Sequence, residues 1–245
     1  MPSYIVTRGI VLRETETKET DKILTLLTHD LGKISVIARG VRRKSCRFAA
    51  AAQSLAYSEL TLYQKGDWYY LNEGSTLELF AELRQDLDRL SLGFYFAELT
   101  EAVTGEEPAP ELLRHLLNGL YALGKLKKDP TLVKAAFELK LLCLAGYEPL
   151  VEDCGVCGNP HPAEPLLDVA RGVLRCRACG GKGSGLPLCP DSLAALRRIV
   201  YGDPKRLYSF ALPPDALHRL SAAAEAFLAA QLERGFRTLD FYRSL

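Results

Sequence analysis

The feature that most limits what this chain can become is a quartet of cysteines. Cys154-Gly155-Val156-Cys157 is followed, after 18 intervening residues, by Cys176-Arg177-Ala178-Cys179. Two thiolates at this spacing bind one metal from a single turn. A second pair brought across a hairpin completes a tetrahedron, the arrangement of closed structural zinc sites. Gly158 and Gly180 directly follow the pairs, where a ligand loop needs permissive backbone angles. The surrounding segment, 151–190, is rich in Cys, Gly and Pro, carries no apolar period, and is too long for an idle loop. It needs an organiser, and the spacing predicts one structural Zn2+ held by Cys154, Cys157, Cys176 and Cys179; the alternative is a pair of free or redox-active dithiols. His161 lies between Pro160 and Pro162 and reads as a surface residue, while Cys46, Cys143 and Cys189 stay outside the set. Seven cysteines, an odd number, and a start without a charged and then apolar stretch favour a reducing cytosol over a disulfide framework or secretion.

On either side of that segment the apolar residues follow two different periods. Residues 1–80 read as strands: 4–12, 22–28, 33–38, 55–63 and 68–71 are β-branched, aromatic or alternating. His29-Asp30-Leu31-Gly32 and Lys65-Gly66-Asp67 have the composition of turns. Five short strands in this length suit a small barrel, with an antiparallel sheet packed on helices as the alternative. From residue 82 the period becomes helical. Leu83, Leu87, Leu90, Phe94 and Ala97 form one expected core stripe. Further helices are expected after Pro110 and Pro130, over 192–200, and from Pro214 to about Arg234. The expected class is therefore α+β and multidomain: a barrel over 1–80, a helical domain in two parts, 81–150 and 191–245, and the zinc module over 151–190 inserted between them. No apolar run approaches 18 residues, so no membrane span is expected.

Catalytic signatures fail one by one. A four-thiolate site has no open position for activated water, which argues against a zinc nuclease or hydrolase. No His-x-Glu precedes the cysteines, as a zinc deaminase requires. Gly181-Lys182-Gly183-Ser184-Gly185 lacks the glycine and the following Ser or Thr of a phosphate loop. The four histidines form no nucleophile elbow or zincin motif. A non-catalytic protein is expected.

Net charge is +1, but it is unevenly spread. Residues 81–123 hold 3 basic and 8 acidic residues, whereas residues 31–58 hold six basic and no acidic ones. Those six are Lys33, Arg39, Arg42, Arg43, Lys44 and Arg47, most of them on a segment leaving a predicted strand. A cationic run without acidic partners points to a polyanion. Tyr57, Tyr63, Trp68, Tyr69 and Tyr70 crowd the next two strands. Aromatic faces beside cationic loops on a small barrel are what single-strand binders use to stack bases and hold the backbone, and strand alternation turns half of them inward.

The stretch Asp21-Lys22-Ile23-Leu24 to Leu31-Gly32-Lys33-Ile34-Ser35, then Ala38-Arg39-Gly40-Val41-Arg42-Arg43 and Ser45 through Phe48, resembles the amino-terminal domain of bacterial RecO recombination mediators. The cysteine pairs sit where zinc-bearing members of that family have them. The resemblance implies an oligonucleotide-binding (OB-fold-like) barrel, then a helical domain with an inserted zinc module. It also implies binding to single- and double-stranded DNA, annealing of complementary strands, and work with RecR, single-strand binding protein and RecA in recombinational repair. A cytoplasmic, nucleoid-associated location would follow. An apolar groove among the helices, rimmed by Lys134, Lys140, Arg197 or Arg198, is expected to take the acidic-hydrophobic tail of single-strand binding protein. The rival reading is a protein–protein adaptor whose zinc module and helices are the working surface.

Overall fold

The computed structural model of the chain describes residues 4–180 and 185–245. Residues 1–3 and 181–184, most of the glycine run tested above as a phosphate loop, lie outside the described residues. The first strands are β1 (Tyr4–Thr17), β2 (Asp21–Thr28), β3 (Gly32–Ala38), β4 (Tyr57–Lys65) and β5 (Trp68–Glu78). They close into a barrel in the order β1-β2-β3-β5-β4. All neighbours are antiparallel except β3 and β5, which run parallel. This is the OB-fold arrangement, so the expected small barrel is present and closed. Period-two alternation sends Leu24, Leu26, Val36, Ala38, Leu60, Leu62 and Leu71 into one core.

Two strands outrun their apolar signal. β1 continues through Arg13-Glu14-Thr15-Glu16 and β5, past a bulge at Asn72, through Glu73-Gly74-Ser75-Thr76, because these polar residues still form ladder rungs with β2 and β4. The connection from β3 to β4 closes one end of the barrel. Its Ala50–Ala52 turn sets Ala51 and Ala52 into the core beside Val41 and Phe48. Small side chains are needed there: a Cβ at Gly74 would come within 2.8 Å of the Ala51 Cβ. The short alanine run is thus the barrel's plug.

Downstream come α1 (Leu87–Val103), α2 (Pro110–Gly124), α3 (Pro130–Leu144), the strands β6 (Pro165–Asp168) and β7 (Val173–Cys176), and the single turn α4 (Arg177–Gly180). The short β8 (Leu186–Pro187), α5 (Pro190–Tyr201), α6 (Pro214–Leu232) and α7 (Arg237–Arg243) complete the order. Two compact units result, one of residues 1–126 with 236–245 and one of residues 127–235.

In the first unit, the side-chain oxygen of Asp86 accepts from the Arg89 N–H at 3.1 Å and starts α1. The expected stripe on α1 needs correction. Leu83 belongs to a separate 3-10 turn and Leu87 is 57% exposed, while Leu92, Tyr95, Phe96 and Leu99 are fully buried with Ala97. The helix packs against β1, α2 and α7, so it is apolar nearly all round and shows no single face. The seven-residue α7 carries too little pattern to be foreseen. It is fastened by Thr238, whose N–H and hydroxyl both donate to Glu98, and by Phe236 edge-on to Tyr95 at 5.9 Å.

In the second unit, α3 begins where Asp129 accepts from the N–H groups of Thr131 and Leu132. Its period predicts a core stripe of Val133, Ala136, Phe137, Leu141 and Leu144; the first four are buried and Leu144 is half-buried. β7, β6 and β8 make a three-stranded antiparallel sheet. Lys134 is also buried, paired at 2.8 Å with both Glu138 and Glu225. A lysine so enclosed cannot rim a surface groove, which removes it from the expected partner-binding set.

Candidate nucleic-acid interface and metal centre

The second unit brings the four cysteines together. Their sulfur atoms all lie within 4.8 Å of one another, a group that could hold a metal ion, and Cys154–Cys176 and Cys157–Cys176 are each 3.8 Å. Four thiolates at ~2.3 Å from a tetrahedral zinc stand about 3.8 Å apart, so the donor set fits a closed site. The local sequence makes this geometry. Gly158, with φ +70°, bends the first knuckle so that its N–H donates to the Cys154 carbonyl at 2.8 Å. The β6–β7 hairpin, turned at Gly172 with φ +65°, carries Cys176 back to it, and α4 presents Cys179. His161 is exposed and outside the group.

Burial opposes ionisation of Cys154. The backbone N–H groups of Cys157, Cys176 and Val156 outweigh it and hold the thiol down at about 6. Cys179 is pushed up to about 12, first by hydrogen bonds that its S–H donates to Cys176 and Cys157. Four crowded sulfurs share negative charge poorly unless a cation sits among them. Arg197 of α5 anchors the module by donating to the carbonyls of Val151, Glu152 and Pro160 at 2.7–2.8 Å. Lys140 donates to the Val200 carbonyl, and Arg198 lies 5.2 Å over Phe210 and donates to Ser209. Each of the four residues expected to rim a partner groove is engaged with groups of its own chain.

The basic loop belongs to the first unit. Leaving β3, the chain turns at Gly40, whose φ of +62° suits glycine. The Gly40 N–H donates to the Asp21 carboxylate at 2.7 Å, and this bond holds the Asp21 pKa below the usual carboxylate range. The Arg42 N–H donates to the Thr20 carbonyl, Arg43 to Gly40 and Cys46 to Arg43, all at 3.0 Å. The loop is therefore a fixed frame, and its cations project from it. Arg39, Arg43 and Arg47 line one groove of about 660 Å³ with Phe48, Asn72 and Glu73. Among the described residues, Arg39, Arg43, Lys44 and Arg47 have no ion-pair partner. Arg42 does: it pairs with Glu16 at 3.1 Å. Lys33 sits at the far end of β3 and donates to the Glu101 carbonyl at 2.8 Å. Of six expected contacts, three converge, Lys44 stands exposed on the same loop, and two are engaged elsewhere.

Sequence reasoning missed what holds Arg39. Its guanidinium lies 4.7 Å from the Tyr70 ring centre, and Tyr70 stacks on Tyr63 at 5.1 Å and 13°. Tyr4 meets Tyr63 edge-on at 6.2 Å. The row follows from register, since Tyr4 pairs with Tyr63 and Tyr63 with Tyr70. A two-residue turn at Gly66-Asp67 sets that last pairing, so hairpin arithmetic was the available signal. Such a cation–π contact near the surface, here over a half-buried ring, is worth about 0.5–1 kcal/mol and orients the charge.

Among the described residues, no helix is long and apolar enough to cross a membrane. Two family models match the chain: Recombination protein O N terminal over residues 1–80 and Recombination protein O C terminal over residues 84–240. Similar proteins include the DNA repair protein RecO of Acetivibrio thermocellus, 32% identical over 99% of this chain and 98% of that one. That of Symbiobacterium thermophilum is 34% identical over 97% and 96%, and that of Heliobacterium modesticaldum 31% identical over 97% and 89%.

Proposed function

The chain belongs to the RecO family of DNA repair proteins, and on that premise we propose that it is a non-catalytic recombination mediator which anneals complementary DNA strands and helps exchange single-strand binding protein for recombinase. The observation that carries this reading is the arginine groove. Arg39, Arg43 and Arg47, none of them in an ion pair among the described residues, converge on a pinned loop of a closed barrel, beside outward aromatics. Charges of this kind grip phosphates without reading sequence. Such a grip screens each strand while leaving its bases free to pair, which suits annealing better than recognition.

In this reading the barrel, 1–80, is the DNA-binding domain for single and double strands, with Arg39, Arg43, Lys44 and Arg47 as its main contacts. Arg42 and Lys33 are secondary, being already engaged. The acidic helices of 81–123 stay off DNA by charge repulsion. Cys154, Cys157, Cys176 and Cys179 would hold one zinc ion, whose bound form supplies folding energy to a segment with little core of its own. RecR, single-strand binding protein and RecA are the proposed partners, and the site is cytoplasmic and nucleoid-associated.

The test is annealing of complementary oligonucleotides coated with single-strand binding protein. Addition of this protein should raise the rate several-fold without ATP. Equal rates with and without it would end the mediator reading. Equal stimulation on coats that lack the terminal tail would end only the tail-binding part.

A further inference from the structure

The barrel wall beside the arginine groove carries an aromatic residue that annealing by phosphate contacts leaves unused. Trp68 is the only tryptophan in the sequence; it opens β5 and is 45% exposed. Alternation along β5 turns Tyr69 and Leu71 toward the core and leaves Trp68 and Tyr70 on the outer face. In the adjoining β3, Val36 pairs with Tyr69 and Ile37 with Tyr70. With Val36 and Ala38 in the core, Ile37 and Arg39 share that outer face. Trp68 thus stands two residues, about 7 Å, along the strand from the ring that carries Arg39.

The two ends of this track differ in charge. At the Arg39 end the groove is lined by three arginines and Glu73. At the Trp68 end a second groove of about 660 Å³ carries Arg13 and Lys33 against Asp67, Glu101 and Glu106. Arg13 and Glu101 are already paired at 2.9 Å. A phosphate is favoured at the first end and not at the second, whereas a flat, neutral base suits the second. Tyr70 cannot serve as the base platform, since Arg39 lies on it and Tyr63 stacks against it. Trp68 has no ring stacked on it among the described residues.

We infer that Trp68 is a stacking platform for an unpaired nucleic-acid base, on a strand whose phosphates run past Arg39 and Arg43. Tyr70, with Tyr63 behind it, is a positioning residue that holds Arg39 beside that path. This rests on the DNA-binding reading above and adds to it a preference for strands with free bases.

The experiment uses the full chain and two probes of equal length: an oligothymidylate, and an abasic oligomer that keeps only the sugar–phosphate backbone. Binding is read by anisotropy of labelled probes and, separately, by intrinsic tryptophan fluorescence. Oligothymidylate should quench the tryptophan emission and the abasic strand should bind without quenching. Trp68→Leu should weaken oligothymidylate binding roughly 5- to 150-fold, the range of one base–aromatic stack, and abasic binding by less than about twofold. Trp68→Phe should restore most of the loss, which separates stacking from misfolding. If oligothymidylate binds with salt-dependent affinity but neither quenches the emission nor responds to Trp68→Leu, the platform is overturned while the DNA-binding reading stands. If neither probe binds, both fall.

Discussion

Replacing Cys157 or Cys176 with serine is expected to unfold residues 151–190 while the barrel remains intact. Structural zinc bound by thiolates supplies on the order of 10 kcal/mol of apparent binding energy, far more than any single apolar contact in this segment. The module's own buried apolar residues are few, chiefly Val151, Leu166, Leu167 and Leu174. Its sheet has strands of four, four and two residues. Besides the metal, only a few hydrogen bonds join the two knuckles among the described residues, chiefly the Gly155 N–H to the Leu174 carbonyl and the Cys176 N–H to the Cys154 sulfur. Limited trypsin digestion should then cut at Arg171, Arg175 and Arg177 in the variants at protein concentrations where the wild type resists. The barrel has its own core around Leu24, Leu26, Leu60 and Leu62 and should survive as a fragment. Elemental analysis of the wild type should give one zinc per chain. Protein without zinc, its C-x-x-C pairs oxidised to disulfides, would refute the metal assignment.

Changing Arg39, Arg43, Lys44 and Arg47 together to alanine should flatten the salt dependence of single-strand binding by roughly 2–3 units of log K per log salt, using about 0.7 per phosphate lost. The wild-type slope is expected at about −3 to −4 on the same basis. Arg42→Ala is the internal control. Arg42 already neutralises Glu16 at 3.1 Å, so its removal frees one acid and one phosphate contact together and should shift the slope by about half a unit or less. A quadruple variant with the wild-type slope would move the site off this loop. Stability should change little, since all four side chains are exposed and the loop is held by its backbone N–H groups, which donate to the Thr20 carbonyl and the Asp21 carboxylate.

The cysteine module was the most legible part of the chain, because metal geometry leaves few solutions for two C-x-x-C pairs and a hairpin. The barrel was legible from alternation, except where its strands ran on in polar residues: Arg13 to Thr17 and Glu73 to Thr76 pair through backbone groups, which composition does not mark. The stripe assigned to α1 failed for the opposite reason. A helix packed on several sides has no polar face to betray its orientation, so Leu87 was placed inside and Tyr95 was not. Charge was read correctly as a run but not as an arrangement. Which cations are free depends largely on long-range neighbours: Glu16 for Arg42, Glu101 for Lys33, and Glu225 for Lys134. None of these follows from local sequence, whereas the Lys134–Glu138 pair at i,i+4 on α3 was open to it. Arg197, expected at a partner surface, instead clamps the metal module through three backbone carbonyls.

Hydrogen exchange on the unmodified full chain, with and without a saturating oligothymidylate, locates the bound strand without altering a residue. Exchange should slow in 39–48 and 68–74, the loop and strand that frame the arginine groove, and stay unchanged in 154–179. Slowing confined to 127–235, with the barrel unaffected, would contradict a DNA-binding barrel.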